Sequence, residues 1–118
     1  MFIEPETVLR LGTALVMVVF GVHQMLWPHE WFEYLPAWLK KLSPVSDTTD
    51  MRLHAVGNIF LGLWFGLAGT LFPFVIAWLV LIWWLSILPF AFRRNWSIGM
   101  RDTTIIFGVI AYLMILYK

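Results

Sequence analysis

The sequence predicts an all-α fold: a bundle of four transmembrane helices, with a short amphipathic segment lying in the interface between the first and second. Three observations predict it. Four apolar stretches, roughly 8–26, 53–71, 74–92 and 104–117, fill most of the chain as one integral membrane domain. Hydrophobic residues make up 61% and charged residues 13% of the 118 residues, where soluble domains have about 45–50% and about 25%. The basic residues collect in alternate connections between the stretches. A soluble domain of this size cannot hide so much apolar surface, whereas lipid tails solvate it. A hydrocarbon core about 30 Å thick needs roughly 20 helical residues; the fourth stretch is near the short limit and is expected to start in the interface at Asp102.

The first span follows Glu4-Pro5-Glu6-Thr7, a helix start with proline in the first turn and acids that suit the helix dipole. It lacks a basic lead and a small-residue cleavage site, so it is expected to stay as a membrane helix. It ends near Trp27-Pro28, because proline cannot continue the hydrogen-bond ladder. Over 29–42, Trp31, Leu35, Trp38 and Leu42 recur at helical spacing with charges between them, a stripe suited to the headgroup plane with Trp31 and Trp38 as anchors. Pro36 is expected to break it in two. Asp47-Thr48-Thr49-Asp50 offers capping chemistry for the second span. Gly69–Pro73 reads as a tight turn into the third span, which Pro89 is expected to kink or end. Arg93-Arg94-Asn95 stops that span, and Asp102 reads as the N-cap of the fourth. Lys40, Lys41, Arg52, Arg93, Arg94 and Arg101 fall on one side, so the positive-inside rule places 27–52 and 93–102 in the cytoplasm and both termini outside.

Composition removes several function classes. With no cysteine there are no disulfides, thiol redox steps or thiolate metal sites. The net charge of +1 carries no signal for nucleic acid; the expected partner is membrane lipid. There is no Ser-His-Asp set, carboxylate pair or phosphate loop, so an enzyme acting alone is not expected.

The second span has the most informative face. His54, Asn58, Gly62 and Gly66 are spaced by four and share one side. Gly62 and Gly66 form a small-xxx-small pair that admits a close helix neighbour. A polar stripe of this kind faces protein, since lipid would strand the amide and imidazole. It serves either helix packing or a ligand or proton site. His23 and Gln24, one turn from the end of the first span, lie at the same depth as His54. Two imidazoles on neighbouring helices can ligate haem or a metal, but the pattern fits a hydrogen-bonded vestibule better, with Trp84 as a stacking ring and Asp102 closing it against Arg93 or Arg94. No metal is expected, and haem is disfavoured; His29 and Glu33 lack the second histidine of a zinc helix. Arg10 is expected to snorkel to the headgroups.

Several of these residues also carry a resemblance. Arg10-Leu11-Gly12, Phe20-Gly21-Val22-His23 before Trp27-Pro28, Trp31-Phe32, Pro36-Ala37-Trp38, the glycine-rich run Gly57–Leu63 and Arg101-Asp102 resemble the DoxX-like family of small four-helix prokaryotic membrane proteins. The likeness spans nearly the whole chain. His23 or Gln24 stands where many relatives have lysine, and Asn58 near where many have an acid. The resemblance implies a prokaryotic inner-membrane protein, an accessory or anchor subunit beside a membrane oxidoreductase, with a quinone or lipid as ligand. The alternative is a non-catalytic assembly module that forms homo-oligomers or docks another membrane protein; a small transporter ranks lower.

Overall fold

Apolar runs bounded by Pro5, Pro28, Ser46, Pro73 and Asn95 become helices between those punctuation points. The computed structural model describes residues 3–35 and 37–118, and the described residues form helices and turns without strands. In order they are α1 (Pro5–Leu26), a 3-10 segment (Pro28–Tyr34), α2 (Ala37–Leu42), α3 (Asp47–Leu67), α4 (Pro73–Arg94) and α5 (Trp96–Leu116). Helices α1, α4 and α5 are long and apolar enough to cross a bilayer, which makes this a membrane protein. Helix α3 has comparable length, 21 residues, but its first half carries Asp47, Asp50, Arg52 and His54, and Asn58 follows at its middle.

Three boundaries correct the sequence reading. The fourth long helix starts at Trp96 rather than 104, because the Asn95 side chain accepts from the Ser97 amide at 2.8 Å and caps it. Only Asn95 then separates α4 from α5, so 93–102 is no loop, and Asp102 sits inside a helix rather than capping one. Helix α3 is capped by Ser46, whose hydroxyl accepts from the Thr49 amide at 3.2 Å, with Asp47 and Asp50 in the first turn. Helix α4 runs through Pro89 to Arg94. The 29–42 stripe is divided into the 3-10 segment and α2; Pro36 itself lies outside the described residues.

Helix α1 packs along α3 and α5, and α4 packs on the same two, so the long helices close a ring α1–α3–α4–α5. The α1–α3 seam is tight because small residues face it. A Cβ on Gly62 would meet the Ala14 carbonyl and Met17 at 3.1 Å, and one on Gly21 would meet the Ala55 carbonyl at 2.9 Å. Gly66 faces Ala14. Both glycines of the small-xxx-small pair therefore pack within the chain. Met17, Phe65, Ile76, Val80, Trp84 and Val109 fill the centre. Leu15, Val19, Phe60, Ile82, Phe107 and Met114 point outward, as a lipid-solvated bundle requires.

At the end holding both termini, the Arg10 guanidinium donates from Nη1 to the carbonyls of Gly66 at 2.6 Å and Phe65 at 3.2 Å. These belong to the last turn of α3, whose carbonyls lack helical partners. Arg10 thus caps a neighbouring helix instead of reaching for headgroups. The turn that follows places Phe72 at φ 55°, the one non-glycine with positive φ among the described residues.

Candidate functional site: a polar chamber beneath the 28–34 segment

At the opposite end polar side chains gather inside the bundle. Gln24 from α1, His54 and Asn58 from α3, Trp84 and Ile87 from α4 and Asp102 from α5 line one chamber. Phe20, Trp31, Tyr34 and Arg101 complete its wall. Its volume is about 10 Å³, space for one water-sized group.

The chamber's hydrogen bonds run in a fixed direction. An indole can only donate, and Trp83 Nε1 donates to Asn58 Oδ1 at 2.7 Å. That orients the Asn58 amide, whose Nδ2 donates to Gln24 Oε1 at 2.7 Å. Gln24 is then left with its NH₂ to offer. The His54 ring stacks on Trp83 with centroids 4.6 Å apart. Asp102, 1% exposed, meets Arg101 through Oδ1: Nε donates at 3.0 Å and Nη2 lies at 2.9 Å. Neither contact goes to Oδ2. The Arg101 guanidinium also covers the Phe20 ring at 4.8 Å. Trp84 is 1% exposed and its Nε1 has no hydrogen-bond partner among the described residues. A buried donor without an acceptor costs about 1–3 kcal/mol, so this atom marks a place suited to an acceptor.

The 3-10 segment separates the chamber from a wider cleft of about 160 Å³ lined by His23, Glu30, Trp31, Tyr34, Arg94, Ile98 and Arg101. Trp31, Tyr34 and Arg101 belong to both spaces and form the partition. Two latches hold the segment. Trp31 Nε1 donates to His23 Nδ1 at 2.8 Å, and His23 Nε2 faces Glu30 at 3.5 Å. Arg94 donates to the Glu30 carbonyl at 2.8 Å, pairs with Glu33 at 3.4 Å and lies over the Tyr34 ring at 5.6 Å. Burial pushes the Tyr34 phenol up from its ordinary range, and the Asp102 charge adds to this; Arg94 and Arg101 oppose it.

Of the residues singled out from the sequence, Gln24, His54, Asn58, Trp84 and Asp102 come together. His23 stands outside the partition, so the two imidazoles face different spaces and do not form an axial pair. The counter-charge of Asp102 is Arg101, not Arg93 or Arg94: Arg93 lies over Phe90, and Arg94 holds the 28–34 segment. Trp31 turns inward against Phe20, centroids 5.4 Å apart, instead of anchoring in the headgroup plane. Trp38 on α2 is 62% exposed. Phe20, Tyr34, Ile87 and Arg101 line the chamber beyond what the sequence reading gives, and Trp83 acts on it through Asn58 and His54. Phe20 had a usable signal, one helical turn before Gln24; Tyr34 had none, because its position depends on how the 28–34 segment folds back.

No protein-family model, curated protein or solved structure matches this chain.

Proposed function

We propose that this chain is a four-span, DoxX-like protein of a prokaryotic inner membrane that holds the polar head of a membrane amphiphile, a quinone or a lipid, in the chamber beneath 28–34. In this reading it serves as an accessory or anchor subunit for a membrane oxidoreductase. The observation that carries the ligand is the buried indole N–H of Trp84, a chamber-lining residue, which has no partner among the described residues. Polar groups gathered inside a bundle at this depth are expensive and generally functional.

The fourth span rests on α3. Its outward residues Leu53, Val56, Phe60, Leu63 and Leu67 recur at spacings of three and four and are all exposed, while Asn58 faces the interior. That is the inverse of a water-facing helix and fits lipid on the outside. Lys40, Lys41, Arg52, Arg93, Arg94 and Arg101 share the chamber's end, which supports placing that end in the cytoplasm. A partner enzyme would then meet the ligand at this face. Access for a ring-sized ligand requires Trp31 and Tyr34 to move, since the closed chamber takes only about one water-sized group.

The test is extraction. Protein purified in native lipid discs is analysed by mass spectrometry for retained quinones and lipids, with His54→Ala as comparison. The expected result is a near-stoichiometric amphiphile in the native protein, reduced severalfold in the variant at unchanged helical content. Retention no higher than in discs lacking the protein, or equal retention in the variant, overturns the reading. The assembly-module alternative has lost Gly62 and Gly66 to the α1–α3 seam. What supports it is the groove of Val8, Gly12, Thr13, Ile105 and Gly108 between α1 and α5, where a Cβ on Gly12 would meet nothing within 4 Å.

A further inference from the structure

We infer that the chamber recognises a hydroxyl head group, a phenol, quinol or alcohol O–H, in preference to the corresponding carbonyl; this rests on the amphiphile reading above and names the chemistry its ligand must have. The inference follows from the chamber groups whose bonding sense is fixed; His54 and Tyr34, also in the lining, can donate or accept and do not discriminate. Trp83 can only donate, so Asn58 presents Oδ1 to it and Nδ2 to Gln24 Oε1. The group Gln24 has left for the chamber is its NH₂, a donor. Trp84 Nε1–H is a second donor, buried and without an acceptor among the described residues. Both call for an oxygen that accepts.

Asp102 adds the opposite demand. Its two Arg101 contacts converge on Oδ1, which leaves Oδ2 as an acceptor at the chamber wall. A carboxylate cannot donate. A carbonyl oxygen accepts from Trp84 and Gln24 but sets its lone pairs against Oδ2, a repulsive contact. A hydroxyl oxygen accepts from the same donors and gives its proton to Oδ2. The volume of about 10 Å³ takes one oxygen and no more, so a single group must meet both demands. The rest of the ligand lies towards the cleft beyond Trp31 and Tyr34.

The experiment uses tetramethyl-1,4-benzoquinone and its hydroquinone, titrated anaerobically by calorimetry into the full chain in lipid discs, with discs alone subtracted for partitioning. Hydrogen bonds to charged groups are about twofold stronger than neutral ones, and the hydroquinone is expected to bind about ten- to a hundredfold more tightly. Asp102→Asn, which supplies an NH₂ at nearly the same shape, is expected to bring that ratio to one or invert it. Trp84→Phe removes a donor both forms use, so both affinities fall while the ratio persists. Equal binding of the two forms by the native chain, which needs no variant to fold, overturns the inference and leaves the amphiphile reading standing. So does a ratio that survives Asp102→Asn. Binding of neither form sinks the amphiphile reading and the inference with it.

Discussion

The two ends of the bundle are made of similar residues and finish differently. At the end with the termini, Arg10 donates to the carbonyls of Phe65 and Gly66, Trp64 Nε1 donates to the Leu71 carbonyl at 3.0 Å, and Trp78 Nε1 to the Tyr117 hydroxyl at 3.0 Å. Each named arginine and indole there has an acceptor inside the chain. At the other end, Trp84 Nε1 and Asp50 Oδ2 are buried without partners among the described residues, and Arg101 takes one oxygen of Asp102. Buried polar groups are nearly always satisfied. The matched end is therefore architecture, and the unmatched end is where the molecule has bonding capacity to offer.

The largest test of that contrast removes Arg101. Arg101→Met leaves Asp102 as a buried charge without its counter-ion, and breaking such a pair costs about 3–5 kcal/mol. The midpoint of a detergent-unfolding titration should fall accordingly. Asp102→Asn in the same chain should restore most of it, because the charge is gone; a failed rescue would mean that Arg101 acts by packing on Phe20 alone. Next comes Asn58→Leu, which strands Trp83 Nε1 and Gln24 Oε1 together. In membranes such bonds are worth about 0.6 kcal/mol each on average and about 1.7 at most, since the unfolded state also finds partners. Arg10→Met, at the matched end, should cost a similar amount or slightly less through two uncapped carbonyls. It should leave ligand binding at the chamber untouched. If Arg10→Met weakened binding as much as Asn58→Leu, the two ends would not be separable in function.

The helical fold and much of the chamber were legible because hydropathy and helical spacing act locally. His54, Asn58, Gly62 and Gly66 could be set on one face by counting, and Gln24 could be matched to them by depth, together with His23, which the fold puts outside the partition. The missed features depend on three-dimensional pairing. Nothing near Arg10 in sequence announces that its acceptors lie more than fifty positions away. Asp102 looked like an N-cap because its neighbours Thr103 and Thr104 resemble a helix start, but Asn95 begins the helix earlier. Once the start moves back by two turns, Asp102 enters the bundle, and Arg101 rather than Arg94 becomes its counter-charge. Trp31 looked like a headgroup anchor because aromatic stripes have that role in isolated helices; a 3-10 geometry and the His23 acceptor turn it inward instead.

The cover gives a smaller effect, and one that only the chamber end should show. Arg94 holds 28–34 through a carbonyl, a carboxylate and a ring, but these contacts are mostly exposed, and exposed ion pairs contribute about 0–1 kcal/mol. Arg94→Ala should therefore leave the unfolding midpoint within about 1 kcal/mol of the native value while raising amide hydrogen exchange across 28–34 severalfold. An exchange increase spread evenly over both ends would mean that the segment is not an independent cover.

The smallest effect concerns Tyr34 in the partition. Burial, aided by the Asp102 charge, raises its phenol above the ordinary value of 10.0. A raised value means that the folded chain holds the phenolic proton more tightly than the unfolded chain does. The resulting stabilisation is intact below the ordinary value and fades as pH climbs through the raised one. Hydrogen exchange over 28–34, corrected for its intrinsic pH dependence, should therefore stay low at neutral pH and rise on the alkaline side, in step with tyrosinate absorbance. Tyr34→Phe keeps the ring over which Arg94 lies and removes the titrating group, so the alkaline rise should flatten while neutral-pH exchange changes little. Persistence of the rise in Tyr34→Phe would mean that the partition does not seal a low-polarity space. The contrast between the matched end and the chamber end would then rest on Trp84 and Asp102 alone.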